Sequence, residues 1–182
     1  MIATPDRSSS VHRWIVPPLT PAMLRIRPLL PSDQALLWDL LHVSLWDPPP
    51  APLRPREVLD EPRVSIYARE WGRPGDVGVA GELPGKAAPV GGCWLRLLPD
   101  RQGLAWVDAD TPQLGIAVLP GFQRRGFGRT LMLAALEAAR AHGYRQVSLT
   151  VHPENPAARL YEQCGFAQAG IRNRYHLMIA AL

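Results

Sequence analysis

The chain has 182 residues, 47% of them hydrophobic, which suits one domain with a sizeable core and excludes a low-complexity or intrinsically disordered chain. No run is apolar enough to span a membrane, and two cysteines, Cys93 and Cys164, are too few for a disulfide framework and read as buried free thiols. Its 20 basic and 16 acidic residues leave a net charge of +4.

Residues 1–22 hold Ser8, Ser9 and Ser10, four prolines and no sustained periodicity, and lack the features of a secretory signal. They read as a flexible N-terminal extension, with Met23 as a second candidate start, 23–182 as a single domain and the cytoplasm as the expected compartment. Residues 24–28 predict a strand. Ser32 or Asp33 can cap a helix reaching Ser44, with Leu36, Leu37, Leu40 and Leu41 as its apolar stripe. Pro48, Pro49 and Pro50 then exclude helix and favour extended chain, a short helix is expected at 55–59, and 64–71 is helical or irregular.

Two antiparallel strands are expected at 77–82 and 90–97 around a Pro84-Gly85-Lys86 turn, and a central strand at 114–119 stops at Pro120-Gly121. A helix over 130–142 ends at Gly143, 146–151 alternates as a strand, 156–164 reads as a helix with Gly165 beyond it, and 174–180 supplies the last strand. The pattern is α/β or α+β, with a mixed sheet because hairpin and crossover connections both occur. The five histidines show no metal-ligand spacing, so no metal site is expected.

The surplus charge has an address. Between Gln123 and Arg145 stand five arginines (Arg124, Arg125, Arg129, Arg140, Arg145) and one acid, Glu137, and over the rest of the chain basic and acidic residues cancel. Within this segment Gln123-Arg124-Arg125-Gly126-Phe127-Gly128-Arg129 links a strand to an Ala/Leu-rich helix beginning near Thr130. Glycines let backbone N–H groups approach a ligand closely, the helix start adds partial positive charge and the arginines add full charge, so the segment reads as a pyrophosphate cradle. A solvated basic helix face is the bland alternative. Nucleic-acid binding fits less well, because few aromatics interleave with the arginines. A P-loop would need Lys and then Ser or Thr after Gly128, where Arg129 and Thr130 stand. A dinucleotide fingerprint would need Gly or Ala at Leu131.

The order of strand, Leu119-Pro120, QRRGFG, alanine-rich helix, strand and then Asn155-Pro156-Ala157-Ala158-Arg159-Leu160-Tyr161-Glu162-Gln163-Cys164-Gly165-Phe166 resembles the GNAT superfamily of N-acetyltransferases. The Q/R-x-x-G-x-G/A signature falls on Gln123, Gly126 and Gly128, and the NPAxxLY…GF ending follows about thirty residues later. The resemblance implies a mostly antiparallel twisted sheet flanked by helices, with acetyl-CoA as cofactor. It implies a cofactor site formed by Ile116, Ala117 and Val118 on the central strand, by Gln123, Arg124, Arg125, Gly126, Phe127, Gly128, Arg129 and Thr130 in the cradle, and by Asn155, which also suits a helix cap.

The resemblance makes Tyr161 the candidate general acid that protonates the departing thiolate, with core packing as the alternative. Relatives often place a Glu base where this chain has Gln113, which cannot accept a proton at neutral pH, or near Thr150. Asp108 and Asp110 are therefore the candidate bases, acting through water, with His152 and Glu154 behind them and a water chain alone as another route. Trp46, Tyr67, Trp71 and Trp94 are candidates to line an acceptor cleft, beside an acidic edge of Asp47, Glu57, Asp60, Glu61 and Glu70. The expected function is direct acetyl transfer to a primary amine of a small molecule or peptide, by a monomer or homodimer without nucleic-acid or membrane partners. The alternative is an acyl-CoA-binding module without turnover.

Overall fold

Each strand expected from the sequence forms, and one more joins them. The structure, a computed structural model, describes residues 23–182, so the expected extension over 1–22 lies outside the described residues. The strands are β1 (Arg25–Pro28), β2 (Val77–Glu82), β3 (Gly91–Arg96), β4 (Gln113–Val118), β5 (Gln146–Val151), β6 (Ala167–Arg172) and β7 (Tyr175–Ala181). They form a single sheet in the order β1-β2-β3-β4-β5-β7-β6, antiparallel at every pairing except β4 with β5. The unanticipated strand is β6, whose Ala-Gln-Ala-Gly start carries no apolar alternation; the two-residue turn at Asn173 and Arg174, both at positive φ, folds it against β7.

Alternation gives the sheet two covered faces. On one, Leu131, Met132, Ala135, Leu136 and Ala139 of α3 (Phe127–His142) pack on Val79, Cys93, Leu95, Val147 and Leu149, and α4 (Ala157–Gln163) adds Leu160 and Tyr161. On the other, Leu37, Leu40 and Leu41 of α1 (Gln34–Ser44) meet Ala80, Trp94 and Ala117, joined by Val64 of α2 (Pro62–Ser65), Leu59 and Trp71. Each buried leucine contributes roughly 1.5–3 kcal/mol relative to exposure. Helix α3 starts three residues before the expected position, directly on the glycine turn, and ends at Gly143 in the left-handed conformation (φ 98°).

Three local expectations change. Asp33 does not cap α1 with its side chain; it receives two hydrogen bonds from the Arg27 guanidinium (2.6 and 2.9 Å) and one from the Leu30 N–H, which holds its carboxyl below the usual range. Pro49 and Pro50 turn through a cis bond instead of continuing extended. The 64–71 stretch is one short helix followed by turns, held from below by Arg96. That guanidinium, 1% exposed, donates to the carbonyls of Ile66, Arg69 and Glu70 and twice to the Asp76 carboxylate (2.8 and 2.6 Å).

Candidate active site

The parallel contact between β4 and β5 is limited to one register pair, Gln113 with Ser148, beyond which the strands diverge. Ser148 N–H donates to Pro112 O (3.1 Å), so backbone groups of even-numbered β4 residues point toward β5; Leu119 N–H donates to Val90 O (2.9 Å), so odd-numbered ones point toward β3. Past the contact, Ile116 therefore offers both its N–H and its C=O to an open fork, while Val118 offers its N–H and has its C=O taken by Gln123 Nε2 (2.9 Å). Ala117, grouped with them from the sequence, differs: its backbone faces β3, and its side chain is packed against α1.

The fork leads to the basic turn. Gly126 adopts φ 81°, disfavoured for any residue with a Cβ, and space above it is open, with nothing within 4 Å of a Cβ built there. The N–H groups of Gly126, Phe127 and Gly128 have no carbonyl acceptor among the described residues; the first bond of the turn runs from Arg129 N–H to Gly126 O (3.1 Å). The Phe127 ring anchors the helix start among Leu83 and Val90. Gln123 braces the turn through Val118, and Arg125 folds back to donate to Gly121 O (2.9 Å). Arg124 and Arg129 are exposed, and Thr130 bends its hydroxyl toward Gly126 O at 3.5 Å. The arrangement suits an extended ligand with amides along β4 and anionic oxygens at the start of α3.

Tyr161 stands on the same face, in α4, its ring tilted against Phe166 at 6.2 Å and within the cluster that includes Ile116 and Cys93. Burial raises its phenol well above the ordinary range, and the nearby Cys93 thiol adds to the shift; no described group hydrogen-bonds the hydroxyl. The raised pKa keeps the phenol protonated, with no acceptor for its hydrogen among the described residues. Asn155, just before α4, accepts from Ala157 N–H through Oδ1 (2.9 Å), in keeping with the helix-capping role considered from the sequence. Both cysteines are free and buried, and burial raises both thiols, so neither is a ready nucleophile.

A model of the acetyltransferase (GNAT) family matches residues 38–166. The chain belongs to that family. Among curated relatives, the mycothiol acetyltransferase of Beutenbergia cavernae is 36% identical over 92 residues, which is 50% of this chain and 28% of that protein. The [ribosomal protein bS18]-alanine N-acetyltransferase of Salmonella typhimurium is 44% identical over 62 residues, 34% of this chain and 42% of the relative. These matches span less than half of either relative. Among solved structures, the GNAT domain of S. lividans PAT superposes with a TM-score of 0.63 at 18% identity, covering 87% of this chain and 90% of that one. The yncA protein of Salmonella typhimurium, solved with its cofactor acetyl-CoA, gives 0.59 at 20% identity, covering 88% and 94%. At such identities the likeness bears on the fold.

In this GNAT chain the position that resembles the family's base is sealed. Gln113 is 1% exposed; its Oε1 accepts from Ala105 N–H (3.1 Å) and the Tyr67 hydroxyl (3.2 Å), and its Nε2 donates to Gln102 O (2.7 Å). Asp108 and Asp110 do not take its place. Asp108 is tied to Gln146 at the start of β5 (3.1 Å), on the closed side of the Gln113–Ser148 contact. The Thr111 hydroxyl (2.6 Å) and further N–H donors hold its carboxyl below the usual range. Asp110 is exposed on the same loop. The fork opens the other way, toward His152, whose ring lies 5.5 Å from Trp46 and 5.7 Å from Tyr175, with Nδ1 accepting from Glu154 N–H (3.2 Å).

Of the aromatic residues expected to line an acceptor cleft, Trp46 alone reaches this mouth. Trp71 and Trp94 are core residues, 6% and 1% exposed, and Trp94 lies so close over Gly115 that a Cβ there would come within 2.4 Å of the ring. Tyr67 is committed to Gln113 and the Leu104 N–H. The expected acidic edge is largely neutralised, because Asp47, Glu61 and Glu70 pair with Arg54, Arg63 and Arg73. Missed from the sequence was the placement of His152 beside both Trp46 and Tyr175, the second of which the hairpin return of β7 beside β5 brings about. A cavity of about 540 Å³ between Trp38, Asp39, Arg56 and Asp60 lies on the outer side of α1, away from the fork. Among the described residues, no cluster of three His, Cys, Asp or Glu side chains could hold a metal, and no helix is long and apolar enough to cross a membrane.

Proposed function

We propose that this chain is an acetyl-CoA-dependent N-acetyltransferase that moves an acetyl group directly to a primary amine of a small molecule or peptide. The observation that carries the reading is the unpaired edge of β4 at Ile116 leading to the free N–H groups of Gly126, Phe127 and Gly128. Acetyl-CoA, when bound, supplies an acetyl group activated as a thioester. Ile116 and the Val118 N–H would take its amides as an added strand, and the cradle with Arg124 and Arg129 would hold its phosphates.

Tyr161 would keep a proton on Oη and pass it to the sulfur as the carbon–sulfur bond breaks, then recover one from solvent. With Gln113 locked and Asp108 facing the closed end, the amine proton would leave through water near His152. Juxtaposition of amine and acyl carbon by the two strands then accounts for much of the acceleration. The buried, protonated thiols favour direct transfer over a covalent enzyme intermediate. Helices α3 and α4 fill the donor face, so the acceptor would enter from the face of α1 and α2. Relatives named for a ribosomal-protein alanine and for mycothiol leave both peptide and small-molecule acceptors within the proposal.

The sealed Gln113 favours a second reading, an acyl-CoA-binding module without turnover. Calorimetry with acetyl-CoA, followed by thiol release against amino acids, polyamines, aminoglycosides and peptides, separates the two. Binding with release is expected; binding without release would favour the module, and no binding would overturn both.

A further inference from the structure

We infer that the acceptor carries an anionic group, a carboxylate or a phosphate, held by Arg101 and Arg172 in the cavity between the β3–β4 loop and the β6–β7 hairpin. The inference rests on the acetyltransferase reading. The cavity, about 210 Å³, is lined by Arg101, Gly103, Leu104, Trp106, Arg172 and Asn173. It has room for an anion and a few carbon atoms, not for a whole acceptor.

Its place follows from the loop that floors it. A Cβ built on Gly103 would fall 2.3 Å from Gln113 Oε1, Leu104 N–H donates to the Tyr67 hydroxyl (3.0 Å), and Ala105 O accepts from Ser148 Oγ (2.6 Å). Gln113 and Ser148 are the pair at which β4 and β5 part, so the cavity sits over the root of the fork. It lies on the face away from α3 and α4, the one left for the acceptor. The tight two-residue turn at Asn173 and Arg174 sets Arg172 on the opposite wall.

Charge gives the chemistry. Of the six arginines between residues 54 and 96, five are consumed by acids, Arg54 by Asp47, Arg56 by Asp39, Arg63 by Glu61, Arg73 by Glu70 and Arg96 by Asp76, and the sixth, Arg69, donates to Ser65 Oγ. Arg101 and Arg172 have no carboxylate within 4 Å among the described residues, and no acid lines the cavity. Arg101 Cζ lies over the Trp106 ring, 5.4 Å from its centroid, a cation–π contact that holds the guanidinium at the cavity wall, and the fork of N–H donors of a guanidinium matches the paired oxygens of an anion. Two unpaired guanidinium groups facing one small cavity would disfavour a cationic acceptor end there and favour an anionic one.

The test compares matched acceptors: α-amino acids and dipeptides against their C-terminal amides, and phosphorylated amino alcohols against their parent alcohols. A kcat/KM at least about tenfold higher for the anionic member is expected, one charge-assisted contact being worth about 1.5–3 kcal/mol, and the two series distinguish carboxylate from phosphate. In an Arg101→Gln, Arg172→Gln double variant that ratio should collapse toward one, with donor binding and thermal unfolding verifying the fold. A wild-type ratio at or below one, or a variant that loses both members equally, would overturn the inference while leaving transfer established. Should no amine release thiol, equilibrium binding of N-acetylated amino acids and phosphorylated amino alcohols against their neutral counterparts decides it. Anion-selective binding lost in the variant supports the site, and unselective or absent binding overturns it.

Discussion

At the residue scale the proposal turns on a phenol and a glycine. Burial keeps Tyr161 neutral beyond the pH at which an ordinary tyrosine ionises, so its donor form persists across the neutral and mildly alkaline range. Tyr161→Phe should lower kcat by about 10²- to 10⁴-fold with little change in CoA affinity. In the wild type the alkaline fall assigned to this group should lie above pH ~10. Steady-state kinetics across pH, with calorimetry on the variant, checks both, and an equal loss of affinity would make the tyrosine structural. Gly126→Val places a β-branched side chain at φ 81°, in the space left open above the turn. It should abolish CoA binding while circular dichroism still reports a folded chain. Gln113 tests the missing base in the other direction. Gln113→Glu would set a carboxylate oxygen against the Gln102 carbonyl in a buried site, raising its pKa. Because a raised carboxyl pKa costs stability as pH rises, the variant should lose about 1–3 kcal/mol. Its deficit should be larger at pH 8 than at pH 5 in urea melts, with no gain in turnover.

At the element scale three carbonyls of the 62–70 segment, those of Ile66, Arg69 and Glu70, are held to the sheet by one side chain, Arg96. Asp76→Ala would leave Arg96 buried without its counter-charge and free two further N–H groups, those of Gly72 and Arg73. A loss of about 3–5 kcal/mol is expected by thermal or denaturant unfolding. Elements differ in how far the sequence exposes them. The glycine turn that opens α3 was legible because its glycines, arginines and helix start are contiguous, and the strand over 146–151 because apolar alternation marks it residue by residue. Strand β6 was not, because an exposed edge of small residues has no alternation and exists through its pairing with β7. Nor were the surroundings of Gln113, which depend on a loop folding back from eight and eleven residues away, or the placement of Asp108, which depends on where β5 comes alongside β4. Local chemistry is written in one segment; a site assembled by register is written in the relation between segments.

At the scale of the whole molecule, charge is divided between a compensated variable region and an uncompensated basic turn. The +4 surplus resides in 123–145. Screening shortens the reach of exposed charge from about 10 Å at 0.1 M salt to about 3 Å at 1 M. CoA binding should therefore weaken severalfold across that range, and binding of phosphate-free pantetheine by less than about twofold. Calorimetric titration of both ligands tests this; equal salt responses would place the affinity outside the basic turn.

The lone backbone contact between Gln113 and Ser148 leaves the sheet with a tear along its centre. Strands β1 to β4 on one side and β5 to β7 on the other are sewn together at one strand pair, by the side-chain bonds of Gln146 and Ser148 to the β3–β4 loop, and by the packing of helices laid across the gap. An extended molecule lying in that gap lends the sheet a strand the chain does not encode, so the cohesion of the two halves and occupancy of the gap are thermodynamically linked. With a ligand in that gap such a protein would be most complete as an architecture, and each release would undo part of its own fabric.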